Sequence, residues 1–232
     1  MRRLIQHLER GQHHRGRTVA RLHLTRVSKQ DVTKEHQGIG DPHVIVDASG
    51  THLLAYYTDI SRRAGDERTR VGLAKCDISD AGAPGKWNKY HDGQFSQHGL
   101  GGDEDAIVRG PTEIPCEVSG PHVTWVPKWN HYVMVLSVLS FSDFEKQSGD
   151  KGGLFWCLSE DGIKWTEPRQ LCSGLTVPLV GKEYVAHPTL VVESATDSTV
   201  KGQVYFAYSP RWGTQAPNQP HFLARRSVAL RR

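Results

Sequence analysis

Three stretches of this chain share one plan, and that repetition limits the fold more than any other feature. The first runs Asp41-Pro42-His43-Val44-Ile45-Val46, turns at Ser49-Gly50, and returns through Leu53-Leu54-Ala55-Tyr56-Tyr57-Thr58. The second runs Gly120-Pro121-His122-Val123-Thr124-Trp125, turns near Asn130, and returns through Tyr132-Val133-Met134-Val135-Leu136. The third runs His187-Pro188-Thr189-Leu190-Val191-Val192, passes a longer polar turn, and returns through Val204-Tyr205-Phe206-Ala207-Tyr208-Ser209. Each reads as a proline-led strand, a hairpin and an aromatic-rich second strand. Proline is tolerated at a strand's first residue, where its missing N–H costs no ladder bond.

A third strand follows each pair: Val71 to Cys76, Leu154 to Leu158, and Phe222 to Arg226. A strand of the same kind, Val19 to Leu24, precedes the first repeat. Two of the third strands lead into a polar turn and a tryptophan. These are Ser79-Asp80 to Lys86-Trp87 and Ser159-Glu160-Asp161-Gly162-Ile163-Lys164-Trp165. The Asp-Gly pair makes a tight hairpin, and the tryptophan is a large apolar body that can pack on the next sheet.

Repeated units of three or four antiparallel strands predict an all-β fold, a β-propeller, with residues 17–232 as one domain and residues 1–16 as a tail or short helix. Three units and an orphan strand fall short of a closed ring, so either the first 17 residues complete a blade or N-terminal sequence is missing. The intervals Pro42 to Pro121 and Pro121 to Pro188 both exceed an ordinary blade of ~40–50 residues. In the first, the excess lies between Asp92 and Ser119, read as a long loop over one face, the usual place for function. A β-sandwich of three hairpins is the plainer alternative.

Composition supports a globular all-β chain: 37% hydrophobic, 23% charged, with 23 glycines and 12 prolines for many turns. The net charge of +4 is concentrated in arginines near both ends, without the basic-aromatic face of a nucleic-acid binder. No apolar run is long enough for a membrane span. The basic start Met1-Arg2-Arg3 lacks the apolar stretch of a signal peptide, so the sequence as it stands reads as cytoplasmic. None of the four cysteines has zinc-ligand spacing, and the apolar runs around Cys76 and Cys157 predict buried thiols. Neither a phosphate-cradling loop nor a serine-hydrolase elbow occurs.

The pattern resembles the five-bladed propeller glycoside hydrolases of the arabinanase and β-xylosidase type. The resemblance covers roughly residues 38–228. It rests on Gly40-Asp41-Pro42-His43-Val44, Tyr56-Tyr57-Thr58, Gly120-Pro121-His122-Val123, Ser159-x-Asp161-Gly162-x-x-Trp165 and Tyr205-Phe206-Ala207-Tyr208-Ser209. It implies glycosidic bond hydrolysis by two carboxylates that come from strand starts at a central funnel. One gives a proton to the leaving oxygen and the other activates water. Asp41 matches an Asp-Pro strand start and would be the base or the orienting aspartate. The family's acid glutamate directly precedes Gly-Pro or Ala-Pro, whereas here Ser119 precedes Gly120-Pro121 and the nearest carboxylate is Glu117. Inversion, the implied outcome, needs the two carboxylates ~6.5–9.5 Å apart.

Further binding candidates are His43, His122 and His187, which recur at or next to the repeat prolines and could line a funnel. Trp125 is a surface on which a sugar ring could stack. Asp105 lies in the long loop beside Asp103 and Glu104. No cofactor is required by this chemistry, and a central cation such as calcium is compatible with it. The expected partner is a carbohydrate, with no nucleic acid and no membrane. The alternatives are a non-catalytic carbohydrate-binding propeller and a phosphorylase.

Overall fold

The computed structural model describes residues 39–60, 68–98, 103–140, 151–173, 184–209 and 222–232. The expected tail 1–16 and the strand at Val19 to Leu24 lie outside them. The described residues form three antiparallel sheets in chain order. The first has five strands: β1 (Ile39–Val46), β2 (His52–Asp59), β3 (Arg70–Asp77), β4 (Asn88–His91) and β5 (Gln94–His98). The second has four: β6 (Cys116–Val126), β7 (His131–Ser140), β8 (Gly153–Ser159) and β9 (Arg169–Ser173). The third has three: β10 (Tyr184–Ala195), β11 (Thr199–Ser209) and β12 (Phe222–Arg231). In each sheet the strands follow sequence order, so each strand pairs with its neighbours along the chain.

The period-2 alternation of each repeat shows in how the sheets stack. Leu54, Tyr56 and Leu73 of the first sheet bury against Val123, Met134 and Leu136 of the second. Val133, Val135 and Trp156, on the second sheet's other face, bury against Leu190, Val204 and Phe206 of the third. One layer of side chains thus separates each pair of consecutive sheets. All four cysteines are buried free thiols. Among the described residues, no helix is long and apolar enough to cross a membrane.

Two expectations about loops are corrected. The stretch from Asp92 to Ser119 is not one loop. Asp92 (φ 50°) and Gly93 (φ 77°) make a two-residue hairpin between β4 and β5, as an Asp-Gly pair with two left-handed residues favours, and β6 begins at Cys116. The third repeat's turn is not long either. β10 continues to Ala195 and β11 starts at Thr199, so alternating polar residues extend both strands beyond the apolar core.

The Ser159-to-Trp165 turn joins β8 to β9 and links two sheets. Asp161 Oδ1 accepts from the N–H groups of Ile163 and Lys164 at 2.8 Å each, and Trp165 Nε1 donates to the Gly162 carbonyl at 3.2 Å. Tyr56 of the first sheet donates its hydroxyl to that same carbonyl at 3.0 Å, and its ring meets Trp165 edge-on at 5.9 Å. Gly162 is left-handed (φ 77°), and a Cβ there would come 2.7 Å from the Tyr56 hydroxyl. Gly162→Ala is therefore expected to cost about 2–3 kcal/mol, from backbone strain and a lost buried hydrogen bond, read as a lower urea midpoint at unchanged m-value.

Candidate active site

The three proline-led strands carry the same irregularity. Pairing slips by one residue between Gly40 and His43, between Ser119 and His122, and between Ala186 and Thr189. In each bulge the residue before proline is left-handed: Asp41 (φ 50°), Gly120 (φ 60°) and His187 (φ 52°). Glycine bears this conformation freely, and aspartate and histidine are among the few other residues enriched in it. A bulge bends the strand and re-aims a side chain out of the alternating pattern. Here it brings three equivalent residues to one place.

Asp41 Oδ2 accepts a hydrogen bond from Thr58 Oγ1 at 3.1 Å, and Thr58 Oγ1 accepts from the Gly120 N–H at 2.9 Å. Asp41 Oδ1 lies 3.5 Å from His187 Nδ1. A Cβ on Gly120 would sit 3.3 Å from the His187 backbone and 3.5 Å from its Nδ1, so the second bulge must be a glycine for the third to reach Asp41. The Asp41 side chain is 33% exposed and that of His187 55%, which leaves both open to a ligand. Thr58 stands in the sequence as the end of the Tyr56-Tyr57-Thr58 motif, with no site role attached to it. Its role comes from pairing opposite the bulge, and Ser137 is the equivalent residue of the second sheet. The Ser137 hydroxyl is buried without a hydrogen-bond partner, since Gly120 offers it no carboxylate.

The recurrent histidines divide into two roles. His187 is a bulge residue, whereas His43 and His122 follow the proline and tie sheet to sheet. The Val123 N–H of the second sheet donates to His43 Nδ1 at 3.1 Å, and the Leu190 N–H of the third donates to His122 Nδ1 at 3.4 Å. A backbone N–H can only donate, so both Nδ1 atoms are acceptors and both rings are neutral. The two rings lie 4.0 Å apart, centroid to centroid. Burial lowers the pKa of His43, and burial together with His43 lowers that of His122 to about 4.

The other candidates do not touch Asp41. Glu117 is half-buried on β6, three residues before the bulge, and makes no hydrogen bond or ion pair with a described residue. Trp125, near the far end of β6, packs on Tyr132 at 4.7 Å, and the Tyr132 hydroxyl accepts from the Ala48 N–H at 2.7 Å. That contact joins the second sheet to the first sheet's β1–β2 turn. Asp105 lies in the segment after β5 and packs on the β4–β5 hairpin, on the opposite edge of the first sheet from β1. It accepts from the Asp92 N–H at 2.8 Å and lies 3.1 Å from His91 Nδ1. Among the described residues, His91, Asp92 and Asp105 are the group whose ligand atoms, all within 4.8 Å, could hold a cation, and they gather at this outer hairpin. Glu104, expected in an open loop, is buried against Lys89 Nζ at 2.7 Å.

No protein-family model matches the chain, and no curated protein matches it. Among solved structures it is similar to an N-acetylgalactosamine deacetylase from F. plautii. The TM-score is 0.47 at 10% identity, over 84% of this chain and 50% of that one. It is also similar to a GH43_12 protein retrieved from capybara gut metagenome, with TM-score 0.48 at 15% identity, over 80% of this chain and 30% of that one. A third is an endo-1,5-α-L-arabinanase from Thermotoga petrophila RKU-1, with TM-score 0.36 at 14% identity, over 82% and 56%. The chain thus spans between 30% and 56% of the length of these structures. At such identities and TM-scores the likeness decides nothing about chemistry, and the site stands on its own geometry.

The histidine ties make stability depend on pH. His122 titrates near its ordinary value of 6.5 when unfolded and near 4 when folded, so its contribution is complete above about pH 6.5 and is lost as pH falls toward 4. With allowance for solvent near a partly exposed ring, the loss is about 2 kcal/mol. Urea unfolding at neutral pH and near pH 4 is expected to show a smaller loss for His122→Asn than for the wild type. Equal losses would contradict this assignment.

Proposed function

We propose that the three sheets are blades of a propeller and that the protein hydrolyses a glycosidic bond at the point where their bulges meet. The observation that carries this reading is Asp41. Its carboxylate is partly exposed, set at the start of an innermost strand, and held by a hydroxyl that the next sheet's backbone fixes. A carboxylate so oriented is suited to take a proton from attacking water or to bind sugar hydroxyls. The sequence resemblance to propeller glycoside hydrolases points to the same position. In this reading Asp41 is the base, Thr58 sets its orientation, His187 lines the same opening, and Glu117 supplies the proton to the leaving oxygen.

A second reading, a carbohydrate-binding propeller without turnover, is favoured by one feature. Ser119 occupies the place before Gly120-Pro121 where the resembled family has its acid, and Glu117 makes no contact that would orient it.

Release of reducing sugar or aryl alcohol from arabino-, xylo-, galacto-, fructo- and mannosides separates the two. Hydrolysis is expected from the wild type, with kcat lower by roughly a hundred- to ten-thousand-fold in Asp41→Asn. Thr58→Val is expected to lower kcat less, by leaving the carboxylate in place but free to turn. Calorimetric binding of the same sugars without any turnover would establish the second reading. Turnover that survives Asp41→Asn would remove Asp41 from the chemistry.

A further inference from the structure

Two histidine rings lie between the sheets, and each holds a backbone N–H of the next sheet. His43 Nδ1 accepts from Val123 at 3.1 Å, and His122 Nδ1 accepts from Leu190 at 3.4 Å. The rings also touch each other, with centroids 4.0 Å apart and planes tilted by 35°. An imidazole accepts an N–H only through an unprotonated nitrogen, and a charged ring has none. A proton on either ring is therefore incompatible with its tie. It would also place a charge at a partly buried position against a second imidazole. Among the described residues, the titratable groups around the pair are Asp41, two places before His43, and Tyr56, paired with His43 on β2. Glu117 lies further back on β6, and His187 is at the bulge of β10. Val135, paired with His122 on β7, is apolar. After burial, it is His43 that lowers the His122 pKa.

The ties sit beside the bulges at both of their ends. His43 is two residues after Asp41, and its partner Val123 is three after Gly120. His122 is two residues after Gly120, and its partner Leu190 is three after His187. Two or three residues of strand span at most about 11 Å, so each tie fixes how one bulge stands against the next. Two contacts of the site need that spacing. They are the Gly120 N–H on Thr58 Oγ1 at 2.9 Å, and Asp41 Oδ1 beside His187 Nδ1 at 3.5 Å.

We infer that His43 and His122 form an acid-sensitive clasp on this site: protons taken up by the pair release Val123 and Leu190, the bulges separate, and the site lets go of its ligand. The clasp is closed while both rings are neutral and opens as pH falls through their titration. The ligand in this statement rests on the carbohydrate reading above, whereas the clasp itself can be read from the backbone without any sugar.

Amide hydrogen exchange, read by NMR from neutral pH down through about 4, tests this on the full chain. In the wild type, Val123, Leu190 and Gly120 are expected to lose protection together, by about tenfold or more. The Val71 N–H, bonded to the Val108 carbonyl at 3.0 Å, is expected to stay protected, which separates opening of the clasp from global unfolding. Asparagine offers an amide oxygen that accepts at every pH. The double variant His43→Asn, His122→Asn is therefore expected to keep all three amides protected across the range. His43→Leu cannot accept, and its Val123 and Gly120 amides are expected to be unprotected already at neutral pH. Loss of protection in the double asparagine variant at the wild-type pH would overturn the inference, since a group other than the pair would then be responsible. So would wild-type amides that stay protected, or a Gly120 that opens at a different pH from Val123. For the sugars named above, affinity is expected to fall with the wild-type amides and to persist in the double asparagine variant. Amides that open as expected in a protein that binds none of the sugars would uphold the clasp and overturn the carbohydrate reading alone.

Discussion

A left-handed residue immediately before a proline is the constraint on which the rest of this structure depends. Proline disfavours the right-handed helical region for the residue before it, and the strand must still go on pairing. One extra residue, turned to positive φ, reconciles the two demands, and it does so at Asp41, Gly120 and His187. For a residue other than glycine such a conformation costs of order 1–3 kcal/mol, and strain of this kind collects where side chains must be aimed. The gain here is that three side-chain positions leave the alternating pattern and point to one place.

The sheet ties depend on the same bulge. Because each bulge shifts the strand equally, His43 and His122, two places after the first and second bulges, reach the Val123 and Leu190 N–H groups of the next sheet by the same geometry. The apolar layers follow from this alignment, with Val123 facing the first sheet and Leu190 the second. Two buried ion pairs, Arg70 with Asp59 at 2.8 Å and Lys89 with Glu104 at 2.7 Å, lie in the first sheet. Breaking either would leave a charge in a dry interior, a heavier cost than the pair's own contribution.

Much of this was legible in the sequence, because period-2 alternation and proline-led starts are local signals. The strand pairs at Asp41 to Thr58 and Gly120 to Leu136 needed no tertiary knowledge. The hairpin at Asp92-Gly93 carried a strong local signal too, but the charged residues around it read as loop. Glu104 misled for a related reason: a glutamate among aspartates suggests solvent, and only the fold supplies Lys89. The histidines were grouped by their closeness to proline, yet one position decides the role. The residue before proline sits in the bulge, as His187 does beside Asp41, whereas His43 and His122, after it, reach the next sheet. Thr58 could not be found from sequence, because its importance lies in pairing across the bulge from Asp41. Ser137, the buried equivalent without a partner, shows what the position becomes when the bulge residue has no side chain.

The proposed carbohydrate site is one that the bulges of three sheets assemble together. Amide NMR during titration with the sugars named above tests it directly, since each contributing residue reports from a different sheet. One sugar is expected to shift the signals of Asp41, Thr58, Gly120 and His187 together, with a common dissociation constant, while those of His91 and Asp105 at the outer hairpin stay still. Shifts confined to the outer hairpin, or Asp41 and His187 responding with different constants, would contradict it.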